Sequence, residues 1–446
     1  MTRESKLFTP LTIGPLTLRN RTIRAAAFEG MCPGNAPSEM LHDYHLSVAR
    51  GGIGMTTIAY AAIVRSGLSF PHQLWLRPEI LPALRQLTDD IHATGAAASI
   101  QIGHCGNMSH KGICGCTPIS ASSGFNIYSP TLVRGMKKEE IVEMAKAFGR
   151  AVNMAREAGF DAVEVHAGHG YLISQFLSPY TNHRKDEFGG SLENRMRFMR
   201  MAMAEVMAAA GDDMAVLVKM NTRDGFRGGM EVPECIEVAK ALEEAGAHAL
   251  ILSGGFVSRA PMYVMRGAMP IRSLTYYMQQ FWLPIGVRIA GHMMIPTVPF
   301  KEAYFFEDAL KFREAVKLPL VYVGGLVSRE KIDMVLDAGF DGVSMARALL
   351  NEPDGEGGEC PEYLRTRKLL YCPYVFPGDG LSQAYSGFAQ EVIEGIGIGF
   401  KEKLKCGNLW KYRICLAFIR LPLLREPVRE SVWSMPESCV PGGMMS

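Results

Sequence analysis

The sequence lacks an excess of charge of either sign, because 47 Lys and Arg residues are balanced by 45 Asp and Glu residues, a formal net charge of +2 at pH 7. So small an imbalance gives no field that would attract nucleic acid or strongly acidic partners. The N-terminus also lacks the long apolar core of a secretory signal. The ten cysteines have no regular spacing, so a reduced, cytoplasmic setting is the default prediction.

No apolar run is both long enough and poor enough in charged residues to resemble a membrane span, which needs about 20 apolar residues with few charges. Residues 281–298 contain Arg288, His292, two prolines and two glycines. Residues 409–424 carry three basic residues. This second run is predicted to be a packing helix, with a position in a bilayer interface as the alternative.

Three cofactor motifs are missing or weak. Nothing like G-x-G-x-x-G opens a helix after the first predicted strand, which disfavours an open dinucleotide-binding sheet. No C-x₂-C run exists among Cys360, Cys372, Cys406 and Cys415, so no iron–sulfur cluster is predicted. The loop 104–116 places Cys-x-Cys near histidines, but free thiols are predicted there and no metal site.

What the chain does contain is an alternation of short apolar runs with helical patterns. Eight runs that are rich in β-branched residues or bounded by glycine are typical of buried strands. They span residues 22–27, 55–61, 96–104, 161–167, 215–221, 248–254, 319–325 and 341–347. Helical spacing of apolar residues occurs at 138–158, 192–210, 232–245 and 329–338. Eight successive strand–helix units predict an α/β protein with a (β/α)₈ TIM barrel, and a doubly wound open sheet is the alternative.

The chain divides into two predicted parts. Residues 1–355 are assigned to the barrel, and residues 356–446, where the composition changes, to a partly helical C-terminal appendage of unknown function. Two connections within the barrel, 104–124 and 255–318, are long enough to be functional loops or small subdomains.

The fourth predicted strand ends with two histidines and a tyrosine. The carboxyl ends of all strands in such a barrel meet at one face, so His166, His169 and Tyr171 are predicted to project into a shared mouth. A single histidine here would indicate only a structural residue that caps the end of a strand. Two histidines and a tyrosine within six residues favour a functional site. Gln101 and Lys219 belong to neighbouring strands, and a cation there would stabilise negative charge on a bound ring.

The loops after strands seven and eight have the features of a phosphate site. Many barrels bind phosphate at these two loops, because glycine lets the backbone approach a ligand closely and a helix start offers free N–H donors. Gly324, Gly325, Ala346 and Arg347 are therefore predicted to hold a phosphate group. A planar heterocycle would lie between this group and the polar strand ends.

The segment HAGHGYLISQFLSPYTNHRKDEFGGSLENRMRF, residues 166–198, resembles the signature of the old yellow enzyme family of FMN-dependent NADH:flavin oxidoreductases. Segments 7–21, 99–107, 322–328 and 345–353 support the resemblance, which covers roughly residues 6–353. The resemblance implies the same barrel, FMN as a non-covalent cofactor, and NADH or NADPH as the hydride donor.

The resemblance also implies roles for individual residues. His166 and His169 would hold the carbonyl oxygen of the substrate, and Tyr171 would deliver a proton. The residues expected to contact FMN are Ala25, Ala26, Ala27, Tyr60, Gln101, Lys219, Gly324, Gly325, Ala346 and Arg347. Lys219 stands where the family usually has an arginine, Tyr60 where it has a small residue, and Phe28 cannot hydrogen-bond a flavin.

The implied reaction is reduction of the activated C=C bond of a small α,β-unsaturated carbonyl compound by a ping-pong hydride mechanism. One alternative keeps the flavin barrel but assigns it an oxidative demethylation or another flavin oxidation. A second alternative is a non-catalytic barrel that binds a ligand, which the intact His166, His169 and Tyr171 disfavour. The sequence predicts no oligomeric state.

Overall fold

The computed structural model describes residues 5–126, 131–267 and 296–351. In this part of the chain, eight parallel strands close into a barrel, in which each strand pairs with the next and the last pairs with the first. Each strand overlaps one of the predicted runs, so the (β/α)₈ TIM barrel is confirmed. In chain order they are Thr22–Arg24, Met55–Ala62, Ala97–Gly103, Ala162–His166, Ala215–Asn221, Ala249–Ser253, Leu320–Val323 and Gly342–Met345.

A helix follows each barrel strand and covers the outside of the sheet. The four helices predicted from periodicity end within one residue of the observed bounds. The eight helices are Glu39–Arg50, Leu81–Ala93, Lys138–Glu157, Leu192–Ala210, Val232–Glu244, Phe306–Ala315, Arg329–Asp337 and Ala348–Asn351. Because helices cover one face of the sheet and the barrel interior the other, every residue of the fourth, fifth and sixth strands is buried.

A hairpin closes the amino-terminal end of the barrel. Its strands, Leu11–Ile13 and Leu16–Leu18, pair antiparallel, and its apolar side chains pack with Ile23 and Met55 in the barrel interior. Gly14 turns the chain with φ +54°, and a Cβ atom there would lie 2.5 Å from the ring of His248, so glycine is required. This hairpin was not among the predicted elements.

The long connections carry structure of their own. The connection after the third strand contains the short helix Lys111–Cys114 and a three-stranded sheet. Further short helices are Leu172–Leu177 and Pro261–Met265, and single turns of 3₁₀ helix occur at Lys6–Phe8, Pro33–Asn35, Arg65–Gly67 and Pro78–Ile80. The sheet strands are Ile119–Ser120, Gly124–Asn126 and Thr131–Gly135.

The predicted appendage, 356–446, and most of the apolar run 281–298 lie outside the described residues. The boundary proposed near residue 355 therefore stays a prediction. Among the residues that are described, no helix combines the length and apolarity needed to span a bilayer.

The two longest helices in the described part of the chain, Lys138–Glu157 and Leu192–Ala210, pack through a fully buried aromatic pair. The rings of Phe148 and Phe198 are 6.4 Å apart, and neither side chain is exposed. Phe148→Ala should lower the free energy of unfolding, measured by urea titration, by about 3–5 kcal/mol because it leaves a cavity. Val142→Ala, on the exposed side of the same helix, is the control, and equal small losses in both variants would contradict the packing role.

Candidate active site

The strand ends bring the predicted catalytic side chains into one aromatic cluster. His166 is the last residue of the fourth strand, and its ring centroid lies 5.2 Å from that of His169, at 85°. The ring of Tyr171 lies 4.5 Å from His166 and 5.1 Å from Tyr60. We call these four residues the imidazole–phenol cluster. All four were predicted from the sequence to belong to the site, and the ring of His166 contacts the other three.

His169 is held in place by the neighbouring strand ends. Its backbone has φ +59°, a left-handed conformation that costs a non-glycine residue roughly 1–3 kcal/mol and persists where the surroundings impose it. The backbone N–H donates to Oδ1 of Asn221 at 2.9 Å, and Nε2 lies 2.7 Å from Oγ of Ser253. Gly170 follows with φ +80°, and a Cβ there would lie 2.5 Å from the Phe256 ring.

Both histidines are neutral at pH 7. Burial lowers the pKa of His169 to about 3, and the positive charge of Lys219 adds to the shift. Burial also lowers the pKa of His166 well below its ordinary value, with smaller contributions from His169 and Lys219. A neutral imidazole has one N–H donor and one acceptor nitrogen. Nδ1 of His166 is buried and has no hydrogen-bond partner among the described residues.

A second group of polar side chains lies at the third, fourth and fifth strands. Nζ of Lys219 lies 2.7 Å from Oε1 of Glu164, and Nε2 of Gln101 donates to the same oxygen at 2.5 Å. Lys219 also donates to the carbonyl oxygen of Ala26 at 3.2 Å. Lys219 and Glu164 are almost fully buried, and the second oxygen of Glu164 has no partner among the described residues. We call Gln101, Glu164 and Lys219 the Lys219 cluster.

The predicted phosphate residues follow the seventh and eighth strands. Gly325 has φ +68°, and a Cβ there would lie 2.6 Å from the Tyr304 ring. Nη1 of Arg347 donates to the carbonyl oxygen of Met265 at 2.8 Å. The guanidinium of Arg266 lies 4.2 Å from the centroid of the same Tyr304 ring. Arg266 and Arg347 therefore both lie close to Tyr304.

The remaining predicted residues adjoin either the Lys219 cluster or the predicted phosphate residues in the chain or in space. Ala25 follows the first strand, and its N–H donates to the carbonyl oxygen of Met345 at 2.7 Å. Ala26 contacts the Lys219 cluster, and Ala27 is exposed. Gly324, with φ +150°, and the half-buried Ala346 adjoin Gly325 and Arg347 in the chain.

One other histidine at a strand end does not join the cluster. His104 follows the third strand, and both of its ring nitrogens have partners: Nδ1 accepts from the Gly106 N–H, and Nε2 lies 3.1 Å from Oγ of Ser66 in the turn after the second strand. Burial lowers its pKa to about 3. Its role is structural.

Four residues of the site were not predicted. Glu164 lies two residues before His166, and therefore on the same face of the strand, so the alternation of strand side chains would have identified it. Asn221 lies two residues after Lys219, on the same face of the fifth strand, and Ser253 is the last residue of the sixth strand. Arg266 lies in a long connection, where the sequence carries no comparable signal.

Comparison with known proteins identifies the family. A family model described as NADH:flavin oxidoreductase / NADH oxidase matches residues 6–280. The chain belongs to this family. It is therefore an FMN-dependent oxidoreductase that uses NADH or NADPH, in agreement with the old yellow enzyme resemblance.

Several curated relatives support the assignment. The chain is 39% identical over 348 residues to a 4,4'-dithiodibutanoate disulfide reductase of Rhodococcus erythropolis, an alignment that covers 78% of this chain and 86% of the relative. It is 33% identical over 271 residues to an NADPH dehydrogenase of Bacillus subtilis, covering 59% of this chain and 77% of the relative. An NADH oxidase of Thermoanaerobacter brockii is 29% identical over 359 residues, covering 79% of this chain but only 50% of that protein.

Solved structures show the same barrel. A 2-naphthoyl-CoA reductase in complex with 2-naphthoyl-CoA matches with a TM-score of 0.67 at 26% identity, covering 78% of this chain and 51% of the other. Morphinone reductase matches with a TM-score of 0.63 at 22% identity, covering 81% of this chain and 90% of the other. Because the identity to morphinone reductase is only 22%, that match is evidence for the fold alone.

The described residues fit a bound FMN. The Lys219 cluster offers a buried cation and a carboxylate oxygen with no partner among the described residues, which suits the polar edge of a heterocycle. The left-handed glycine at position 325 and the arginine at position 347 lie where a phosphate would be expected. When bound there, FMN supplies the hydride chemistry of the reaction, and the protein supplies its position and electrostatics.

The lowered pKa of His169 makes a pH-dependent contribution to stability. Its pKa is about 3 in the folded protein and about 6.5 in an unfolded chain, so the unfolded state binds the proton first as the pH falls below 6.5. From pH 7 to 5, the free energy of unfolding should fall by about 1–2 kcal/mol more in the parent than in His169→Asn. Urea titrations at both pH values test this, with the exposed His183→Asn as the matched control; equal pH dependence in parent and His169→Asn would contradict it.

The position of Arg347 predicts a loss of cofactor. Arg347→Ala removes a charged donor, so the dissociation constant of FMN, measured by fluorescence titration of the apoprotein, should rise by about 10–100-fold. Arg347→Lys keeps the positive charge and should lose less. An unaltered FMN affinity in Arg347→Ala would exclude this residue from the phosphate site.

Proposed function

We propose that the protein reduces activated C=C bonds of α,β-unsaturated carbonyl compounds with electrons from NADH or NADPH. The observation that carries the proposal is the pair of neutral imidazoles, His166 and His169, whose rings lie 5.2 Å apart with Tyr171 against one of them. Two N–H donors at this separation suit a single carbonyl oxygen, and a phenol beside them suits delivery of a proton.

The side chains have separate tasks in this reaction. His166 and His169 donate hydrogen bonds to the carbonyl oxygen and withdraw electron density from the conjugated double bond, an effect worth about 3–4 kcal/mol per well-placed donor. Nε2 of His169 contacts Ser253, so a carbonyl oxygen either displaces that hydroxyl or binds through Nδ1. Tyr171 protonates the α-carbon, and general acid catalysis of this kind contributes about 10²–10⁴-fold.

The neutral state of the histidines matters for this task. A protonated pair 5.2 Å apart beside buried Lys219 would repel one another and the lysine. The neutral rings instead donate their N–H groups without that repulsion, so the same arrangement works across the physiological pH range.

A disulfide is the second candidate for the electron acceptor. The relative from Rhodococcus erythropolis that is 39% identical over most of both chains is named for the reduction of 4,4'-dithiodibutanoate. Reduction of a disulfide adds two electrons and two protons and releases two thiols. No carbonyl group is attached to the bond that breaks, so His166 and His169 would contribute less to this reaction.

The two candidates are separated by reoxidation kinetics. The holoenzyme is reduced anaerobically with NADH or NADPH and mixed with 2-cyclohexenone or with 4,4'-dithiodibutanoate. His166→Ala should slow reoxidation by the enone by about 10²–10³-fold and leave reduction by the nicotinamide nucleotide largely intact.

His166→Asn is the matched variant, because asparagine retains an N–H donor and should restore part of the enone rate. An enone rate that is unchanged in His166→Ala would refute the role of this residue. If the parent is reoxidised by the disulfide and not by the enone, the proposed substrate class is wrong.

A further inference from the structure

The segment that follows the first barrel strand is anchored by a buried charge cluster outside the proposed reaction. Nη1 of Arg24 lies 2.7 Å from Oε1 of Glu29, and these side chains are only 3% and 4% exposed. Nε2 of the fully buried His45 lies 3.1 Å from the same oxygen. The Arg24–Glu29 ion pair therefore draws together the two ends of the segment 25–28.

This cluster contains one positive and one negative charge. Burial lowers the pKa of His45, against the opposing pull of Glu29, so the imidazole is neutral. Its Nδ1 lies 2.8 Å from Oγ of Thr56 on the second strand. Burying two charges carries a large desolvation cost, which good geometry and additional hydrogen bonds offset. An apolar pair would avoid that cost. The hydrogen bonds of the Arg24–Glu29 ion pair therefore point to a role in positioning the backbone.

The second strand supplies those additional hydrogen bonds. The N–H of Ala59 donates to both carboxylate oxygens of Glu29 at 3.2 Å. Nη1 of Arg24 donates to the carbonyl oxygen of Thr57 at 2.7 Å. Ala59 immediately precedes Tyr60, whose ring packs against the catalytic candidate Tyr171. Glu29 is therefore linked to the backbone that carries the imidazole–phenol cluster.

The same segment contacts the Lys219 cluster on its other side. The carbonyl oxygen of Ala26 accepts from Nζ of Lys219, which in turn pairs with Glu164. The backbone of residues 25–27 is thus held between two buried ion pairs. A shift of this segment would alter both the polar group expected at the edge of the flavin and the end of the second strand.

We infer that Glu29 is a positioning residue of the FMN site, which fixes the backbone of residues 25–27 relative to Lys219 and Tyr60. The inference rests on the proposed contact of this segment with FMN, and it does not depend on whether the electron acceptor is an enone or a disulfide. Glu29 acts through the segment and makes no direct contact with reacting atoms.

The test compares Glu29→Gln with Glu140→Gln, which removes the carboxylate of an exposed ion pair with Arg134. Each apoprotein is titrated with FMN, and the visible circular dichroism of the bound flavin is recorded. For Glu29→Gln we expect the dissociation constant of FMN to rise by about tenfold or more and the flavin dichroism to change. Glu140→Gln should match the parent in both measurements.

A purely structural role gives a different result. If Glu29→Gln lowers only the thermal midpoint of the apoprotein, while FMN affinity and flavin dichroism match those of the parent, the inference is overturned. Should Glu29→Gln fail to fold, Glu29→Asp decides the question, because it retains the charge but shortens the reach by one methylene. Weaker FMN binding in a folded Glu29→Asp protein supports the inference, and parental binding refutes it.

These measurements do not involve an electron acceptor. Failure of the enone proposal would appear in reoxidation kinetics with the parental FMN affinity intact. Failure of the present inference would appear in the FMN titration, whatever the acceptor.

Discussion

Closure of the sheet is the constraint on which the rest of the structure depends. The first strand pairs with the eighth, across more than 300 residues of chain, with Arg24 opposite Met345, and the N–H of Ala25 extends this pairing to the carbonyl oxygen of Met345. Once the barrel is closed, residues from distant parts of the sequence must meet at the carboxyl ends of the strands. The imidazole–phenol cluster, the Lys219 cluster and the residues that are predicted to hold a phosphate all lie at this end of the barrel because of that geometry.

The chemistry of the mouth follows from how its charged groups are buried. Lys219 and Arg24 are each compensated by a glutamate within 2.7 Å, so neither adds an unbalanced charge to the interior. His166 and His169, which have no carboxylate within hydrogen-bonding distance among the described residues, remain neutral through burial. The site thus combines fixed ion pairs, which position the backbone, with uncharged N–H donors, which suit a developing negative charge on oxygen.

Much of this arrangement could be predicted from the sequence, because it follows from rules that act along the chain. Apolar runs such as 215–221 lie buried between helices and barrel interior, and the strand-end rule brings His166, His169 and Tyr171 together. The hairpin at residues 11–18 was missed, since each of its strands is only three residues long. The helix Glu39–Arg50 was missed as well, since polar residues such as His42 and Asp43 interrupt its apolar pattern.

The contacts between side chains were harder to predict than the elements. Arg24 and Glu29 are close in sequence, but the contacts of Glu29 with His45 and Ala59 depend on how the first two strands and the intervening helix are packed. Glu164 is one polar residue inside an apolar run, and its burial is explained by its contacts with Gln101 and Lys219 on the two neighbouring strands.

The hairpin at the amino-terminal end has a consequence for how the barrel core is shielded from water. Its apolar side chains pack against residues of the barrel strands that lie opposite the carboxyl ends, so they form an apolar seal beneath the described core. The two ends of the barrel therefore differ in their duties. The sealed end supports the sheet, and the end with polar side chains is left for binding and chemistry.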